Sequence, residues 1–245
     1  MKIAQLQLHS RDLTAQQVFY NQTLGLPAHR HANELHITAG VTQLIFVPAP
    51  SNNPGVYHFA FNIPENQFAE AKAWLSARVA LHRAASGQDE FDFRDWNAHA
   101  IYAIDPDGNI IELIARHGLP NANDKPFAGT SLLNISEIGL VTPNVRAQVE
   151  QLITQYGLPI YDGAGSDAFT AVGDGYGLFI VVAENRLWYP DTDIPAIPMH
   201  TVVTFEGENG LLTHLFQIII PIPLRWQGAT GANIAAAVAI LRWQR

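Results

Sequence analysis

The sequence predicts an α+β fold assembled from tandem units, each of one strand, one helix and about three further strands. Three observations lead there. The segments IAQLQLHSRDL (3–13) and ISEIGLVTPNV (135–145) repeat at an offset of 132 residues, each an alternating strand that runs into a helical pattern. Both helical patterns stop on the same tripeptide, Gly25-Leu26-Pro27 and Gly157-Leu158-Pro159. Glycine just past a last turn, with proline close behind, is a helix stop. Two short alternating stretches then follow each stop.

In chain order, the first helix is expected from about Thr14, with Ala15, Val18, Phe19 and Gln22 on its inner face. Strands follow at 34–38 and 42–47. A second unit opens with the strand VYHFAFNI (56–63) and the helix PENQFAEAKAWLSARV (64–79), with Phe68, Ala71, Leu75 and Val79 inward. Strands near 81–85, 99–104 and 110–115 complete it. HGLPNANDKPFAG (117–129) is rich in proline, glycine and asparagine, so residues 117–132 read as a linker.

The third unit takes Val145, Val149, Leu152, Ile153 and Tyr156 at helical spacing, then strands at 168–172 and 177–182. GDGYG (173–177) joins those two strands and is a hairpin turn, not a phosphate cradle. PMHTVVTF (198–205) opens a fourth unit, but fewer residues remain than the second unit uses, and none after Gly210 is acidic. The expected division is therefore 1–116 with two units and the functional site, a linker, 133–206 with a third unit and the opening of a fourth, and an atypical tail at 207–245. A helix at 230–243 is the one element that tail suggests. The second half is incomplete.

Bulk properties exclude several classes. The formal charge of −8 disfavours nucleic acid and anionic membrane as partners. The absence of cysteine removes disulfides, thiolate nucleophiles and zinc–sulfur sites. The opening MKIAQLQLHS lacks a signal-peptide core, and LFQIIIPIPL is too short and proline-broken to span a bilayer. A cytoplasmic protein is expected. An unfinished fourth unit would leave a strand edge open, which favours a homodimer.

The chemistry concentrates on one set of strand faces. DPDGNIIEL (105–113) puts Glu112 inside an apolar strand, where an unpaired carboxylate is costly. Strand side chains alternate, and parity collects Gln5, Gln7, His9, His58, Asn62 and Glu112 on polar or mixed faces. Ile3 falls on that face in the first strand. If the strands share one curved sheet, its concave side is a polar pocket. Pro106 and Gly108 suit the tight turn that sets the register of Glu112.

The strand–helix–three-strand repeat, YHFAF around His58 and DPDGNIIEL ending on Glu112 together resemble the vicinal oxygen chelate superfamily, which includes glyoxalase I, extradiol ring-cleaving dioxygenases, and fosfomycin- and bleomycin-resistance proteins. The resemblance covers 3–116 well and 135–206 more weakly. It implies paired units forming a cup around one divalent metal, with Gln5, His58 and Glu112 as ligands. Iron(II) or manganese(II) is favoured, and zinc or nickel is accommodated. It also implies a small-molecule substrate with vicinal oxygens.

There are departures. Gln5 stands where many members have histidine, and Leu44 stands where Gln-bearing glyoxalases add an acid. Gln43 and Leu44 occupy the region that would carry an acid–base histidine. Tyr102 resembles a substrate-polarising tyrosine of extradiol dioxygenases, and His9 shares the face of Gln5, so Glu112, Tyr102 and His9 are the expected catalytic residues. Glu137 and His200 align with Gln5 and His58, and are read as a polar remnant of duplication in a half that serves as scaffold or dimer surface.

The expected function is a metal-dependent enzyme leaning toward ring-cleaving dioxygenase. A glyoxalase-type lyase or isomerase is the alternative, and a metal-free binding protein of the bleomycin-resistance kind is the rival from another class.

Overall fold

The computed structural model describes residues 1–50, 55–163, 165–190, 192–207, 210 and 212–217, the last six by backbone alone. The chain forms β1 (Lys2–Ser10), α1 (Leu13–Gln17), β2 (Ala28–His31), β3 (Glu34–Ala39), β4 (Thr42–Pro48), β5 (His58–Ile63), α2 (Phe68–Ser76), β6 (Phe91–Phe93), β7 (Ala98–Ile104), β8 (Ile110–Arg116), β9 (Asn134–Thr142), α3 (Val145–Tyr156), β10 (Phe169–Asp174), β11 (Gly177–Ala183), β12 (Thr201–Glu206) and β13 (Leu212–Gln217). This is the α+β pattern of repeated units. The expected helix at 230–243 and most of the 207–245 tail lie outside the described residues.

The strands form two mixed sheets, ordered β13-β12-β1-β4-β3-β2 and β10-β11-β9-β5-β8-β7-β6. Each complete unit folds the same way: its first strand runs parallel to its last, β1 with β4 and β5 with β8. That leaves the other edge of the first strand open, and an antiparallel strand from another unit fills it. The open edge of β1 takes β12, and that of β5 takes β9.

This corrects the expected pairing. The two units of 1–116 do not make one cup. The first pairs with the fourth, the second with the third, and the first and second lie in different sheets. Apolar faces of both sheets, including Leu6, Leu8, Phe46, Phe59, Phe61 and Leu113, share one core with the helices. Among the described residues, no helix is long and apolar enough to cross a membrane.

Local departures have local causes. A register shift between Ile3 and Gln5 is a bulge, which flips parity, so Ile3 is buried in the core and does not share the face of Gln5. Asp12 caps α1 through the amides of Thr14 and Ala15, but after Gln17 the helix widens into a π-helical stretch, Val18–Thr23. That rotation buries Gln16, Phe19 and Tyr20 and leaves Val18 exposed. The expected strand near 81–85 is only a bridge, Leu81 with Ala103, because Ala84 and Gly87 curl into a turn. β2, β6 and β13 were not anticipated by pattern.

The turn 105–109 is the piece that positions the functional residues. Gly108 takes φ +84°, which favours glycine, and its amide donates to the Asp105 carbonyl at 2.9 Å. The buried Asp105 carboxyl accepts from five donors: Gln16 Nε2, Tyr20 Oη, the amides of Asp107 and Asn109, and Asn109 Nδ2. Asn109 Oδ1 in turn accepts from the Tyr57 amide at 2.9 Å. One turn thus starts β8, two residues before Glu112, and holds the chain just before His58.

Asp105→Ala is expected to lower the unfolding free energy by about 2–4 kcal/mol in urea titration, since several buried donors lose their acceptor. Burial pushes the Asp105 carboxyl up to about 6. Between pH 4 and 6 the unfolded chain therefore releases this proton while the native state keeps it. The stability it contributes is full below pH 4 and is lost as pH rises through 6. Unfolding free energy measured against pH should show this decline in the native sequence and lose it in Asp105→Asn.

Candidate metal centre

β5 lies in the middle of the second sheet, and one row of residues crosses it at Ala60. The pairings run Tyr102 with Glu112, Glu112 with Ala60, Ala60 with Glu137, and Glu137 with Leu178. Two glutamates therefore flank a methyl group, and the small side chain of Ala60 leaves space between them. His58 stands two residues before Ala60 on the same face. One ligand atom each from His58, Glu112 and Glu137 lies within 4.8 Å of the others, and all three residues are buried. His58 Nε2 is 3.5 Å from Glu112 Oε2.

Burial dominates the electrostatics. It pushes the Glu112 carboxyl well up, and the charge of Glu137 adds to that. Arg116 and a hydrogen bond donated by Tyr102 pull the other way. Glu137 is also raised by burial, against the opposing pull of Arg116. Burial lowers His58 to about 4, so its imidazole is neutral at pH 7. His58 and Glu112 are thus a neutral imidazole beside a carboxyl that holds its proton tightly, not an ion pair.

Among the described residues, Arg116 supplies the guanidinium that touches the cluster. It lies on the same strand face as Glu112, pairs with Glu137, and its guanidinium carbon is 5.4 Å from the Trp96 ring centroid and 5.5 Å from that of Tyr161. Among the described residues, His58 Nδ1, Arg116 Nε and Trp188 Nε1 are buried with no hydrogen-bond partner.

The donor set fits a divalent cation. Neutral imidazole and carboxylate are sound ligands, Glu137 can keep one oxygen on Arg116, and a dication would offset the desolvation that both acids suffer. His58, Glu112 and Glu137 would hold such an ion.

Aromatic side chains close the cup. Trp188, in the connection between β11 and β12, lies 5.3 Å from the His58 ring. It packs on Gly139, where an added Cβ would sit 2.5 Å from the indole. Phe91 and Tyr189 pack around Tyr102.

Two expected residues are elsewhere. Gln5 lies in the other sheet, paired with Gln43 on β4 and Thr204 on β12. His9 is also in that sheet, stacked on His200 at 4.6 Å, and its amide donates to the Tyr57 hydroxyl. Neither reaches His58 and Glu112, because β1 pairs with the fourth unit and not the second. Tyr102 lies opposite Glu112 and is hydrogen-bonded to it.

Glu137, expected as a remnant, stands in the cluster, and Arg116, which the sequence pattern does not single out, pairs with it. The signal for Glu137 was present: NISEIGLV poses the same puzzle as NIIELI, a carboxylate in an apolar strand, at the repeat equivalent of Gln5. Arg116 lay four residues past Glu112, of the same parity.

Arg116→Met should destabilise the metal-free protein by about 3–5 kcal/mol in thermal or urea unfolding, because Glu137 is left buried without its cation. Arg116→Met with Glu137→Leu should recover most of that loss.

No protein-family model and no curated protein matches the sequence. Solved structures match along most of the chain, among them the following two. A candidate dioxygenase from Bacillus subtilis aligns with a TM-score of 0.56 at 13% identity, over 88% of this chain and 84% of that one. Glyoxalase I from Zea mays aligns at 0.50 and 12% identity, over 88% and 92%. The chain therefore has the fold of the vicinal oxygen chelate superfamily.

Proposed function

We propose that the protein is a divalent-metal-dependent enzyme of the glyoxalase and dioxygenase type, acting on a small substrate with two adjacent oxygens, with His58, Glu112 and Glu137 as ligands. One observation carries this: two carboxylates and an imidazole converge within 4.8 Å where burial opposes the charge of each. When bound, the ion supplies Lewis-acid activation of the substrate oxygens. One imidazole with two carboxylates is a harder donor set than two imidazoles with one carboxylate, and it favours manganese(II) or iron(II) over zinc or nickel.

The chain's own residues do the rest. Tyr102 donates to Glu112 and fixes the carboxyl's orientation. Arg116 holds Glu137. The rings of Tyr102, Phe91, Tyr189 and Trp188 wall the cup with flat apolar surface, which suits an aromatic substrate body and supports ring-cleaving dioxygenation over the alternatives. Glu112 supports a second reading, a glyoxalase-type lyase or isomerase. Its raised proton affinity makes its carboxylate a stronger base toward a carbon acid than an ordinary glutamate.

Metal analysis after incubation with manganese(II) or anaerobic iron(II) should give one tightly held ion per chain. His58→Ala, Glu112→Gln and Glu137→Gln should each abolish it, and Gln5→Ala should leave it. Ala60→Leu should also abolish it while every ligand remains. An unloaded native protein would overturn the enzyme reading and leave a metal-free binder. Affinity should rise with pH, since the ion displaces the proton that burial keeps on Glu112. Isothermal titration across pH 6 to 8 reads this directly. Oxygen uptake with catechols, against turnover of methylglyoxal with a thiol, separates the two chemistries.

A further inference from the structure

The hairpin of β2 and β3 carries four metal-ligating side chains that the cup does not use, in the sequence HRHANELH (29–36). His29 and His36 are directly opposed across the antiparallel pair, and His31 is opposed to Glu34. All four share the face opposite the buried Leu35 and Ile37. The two-residue turn between the strands, with Ala32 at φ +50°, locks that register. β2 is the edge of its sheet, four strands from β12.

We propose that this hairpin is a second metal site, for a divalent transition ion that prefers imidazole, such as zinc, nickel or copper(II). The spacing carries the proposal. The ring centroids of His29 and His36 are 5.3 Å apart, and those of His31 and His36 are 5.9 Å apart. Two imidazoles bound tetrahedrally to one zinc, with metal–nitrogen bonds of about 2 Å, have centroids about 5 Å apart. The His36 ring therefore sits near coordination distance of both neighbours.

Glu34 supplies the supporting contact. Its Oε2 is 2.8 Å from His36 Nε2. The tautomer selected by donation to that carboxylate leaves the Nδ1 lone pair free for an ion, the carboxylate–histidine–metal arrangement. His29 and His36 now stack, with 24° between their planes, so binding requires the exposed His29 ring and the half-buried His36 ring to turn. The torsion about Cβ–Cγ is broad and shallow for histidine. A different pair, His99 and His117, is hydrogen-bonded ring to ring at 2.8 Å, which occupies the nitrogens it would need.

Equilibrium dialysis of the full chain against zinc tests the proposal. His29→Ala, His31→Ala and His36→Ala should each bind one zinc fewer per chain than the native protein, or bind that ion at least tenfold more weakly. Glu34→Gln should weaken it severalfold. Ring-nitrogen resonances of His29, His31 and His36 should move on zinc addition. Unchanged stoichiometry and affinity in all three histidine variants, or ring resonances that stay still, would overturn the site. The positions are solvent-facing, so circular dichroism should show all variants folded. The outcome is independent of the cup: failure there removes the manganese or iron that survives the hairpin substitutions, and leaves the zinc difference intact.

Discussion

Two carboxylates buried on either side of Ala60 are the constraint around which the second sheet is arranged. Neither Glu112 nor Glu137 has water to stabilise its charge, and each raises the cost of ionising the other when they stand in one row. The chain answers with one guanidinium, one tyrosine hydroxyl and a neutral imidazole. Arg116 and the Tyr102 hydroxyl pull against burial, and a cation between the two carboxylates would offset the desolvation that both suffer.

The surrounding geometry serves this row. Asn109 and Asp105 bind the starts of β5 and β8 together, so His58 and Glu112 keep a fixed offset. Gln16 and Tyr20 reach Asp105 from the first unit, which couples the helix of one sheet to the turn that sets the site in the other. The bare face of Gly139 lets the Trp188 indole lie down beside His58. A side chain there would push the Trp188 indole away from His58.

Much of this was legible in the sequence, because it follows from short-range rules. The repeat, its Gly-Leu-Pro stops, the turn before Glu112 and the parity of His58 against Phe59 and Phe61 are all local. The α+β class and most strands followed from them. The third ligand did not, because it depends on which unit pairs with which. Strand alternation says that a face is polar; it does not say whose face it meets. Gln5 and Glu137 are equivalent in the repeat, and only the pairing of β5 with β9, not with β1, decides between them. Ile3 was misplaced for a smaller reason: one bulged residue inverts every parity before it. Arg116 shares the parity of Glu112, but its partner Glu137 lies across strands, and Trp188 acts from a loop, where spacing along the chain carries no signal.

The exchange of partners between units has a temporal consequence. β1 is held between β4 and β12, so residues 2–10 emerge from the ribosome long before residues 201–206 exist to cover their open edge. The second sheet needs nothing beyond β11 and closes its own register first. During synthesis the unit carrying β1 must wait with a bare hydrogen-bonding edge and a polar inner face, and the imidazoles and glutamines on that face help keep the waiting strand from recruiting the wrong neighbour.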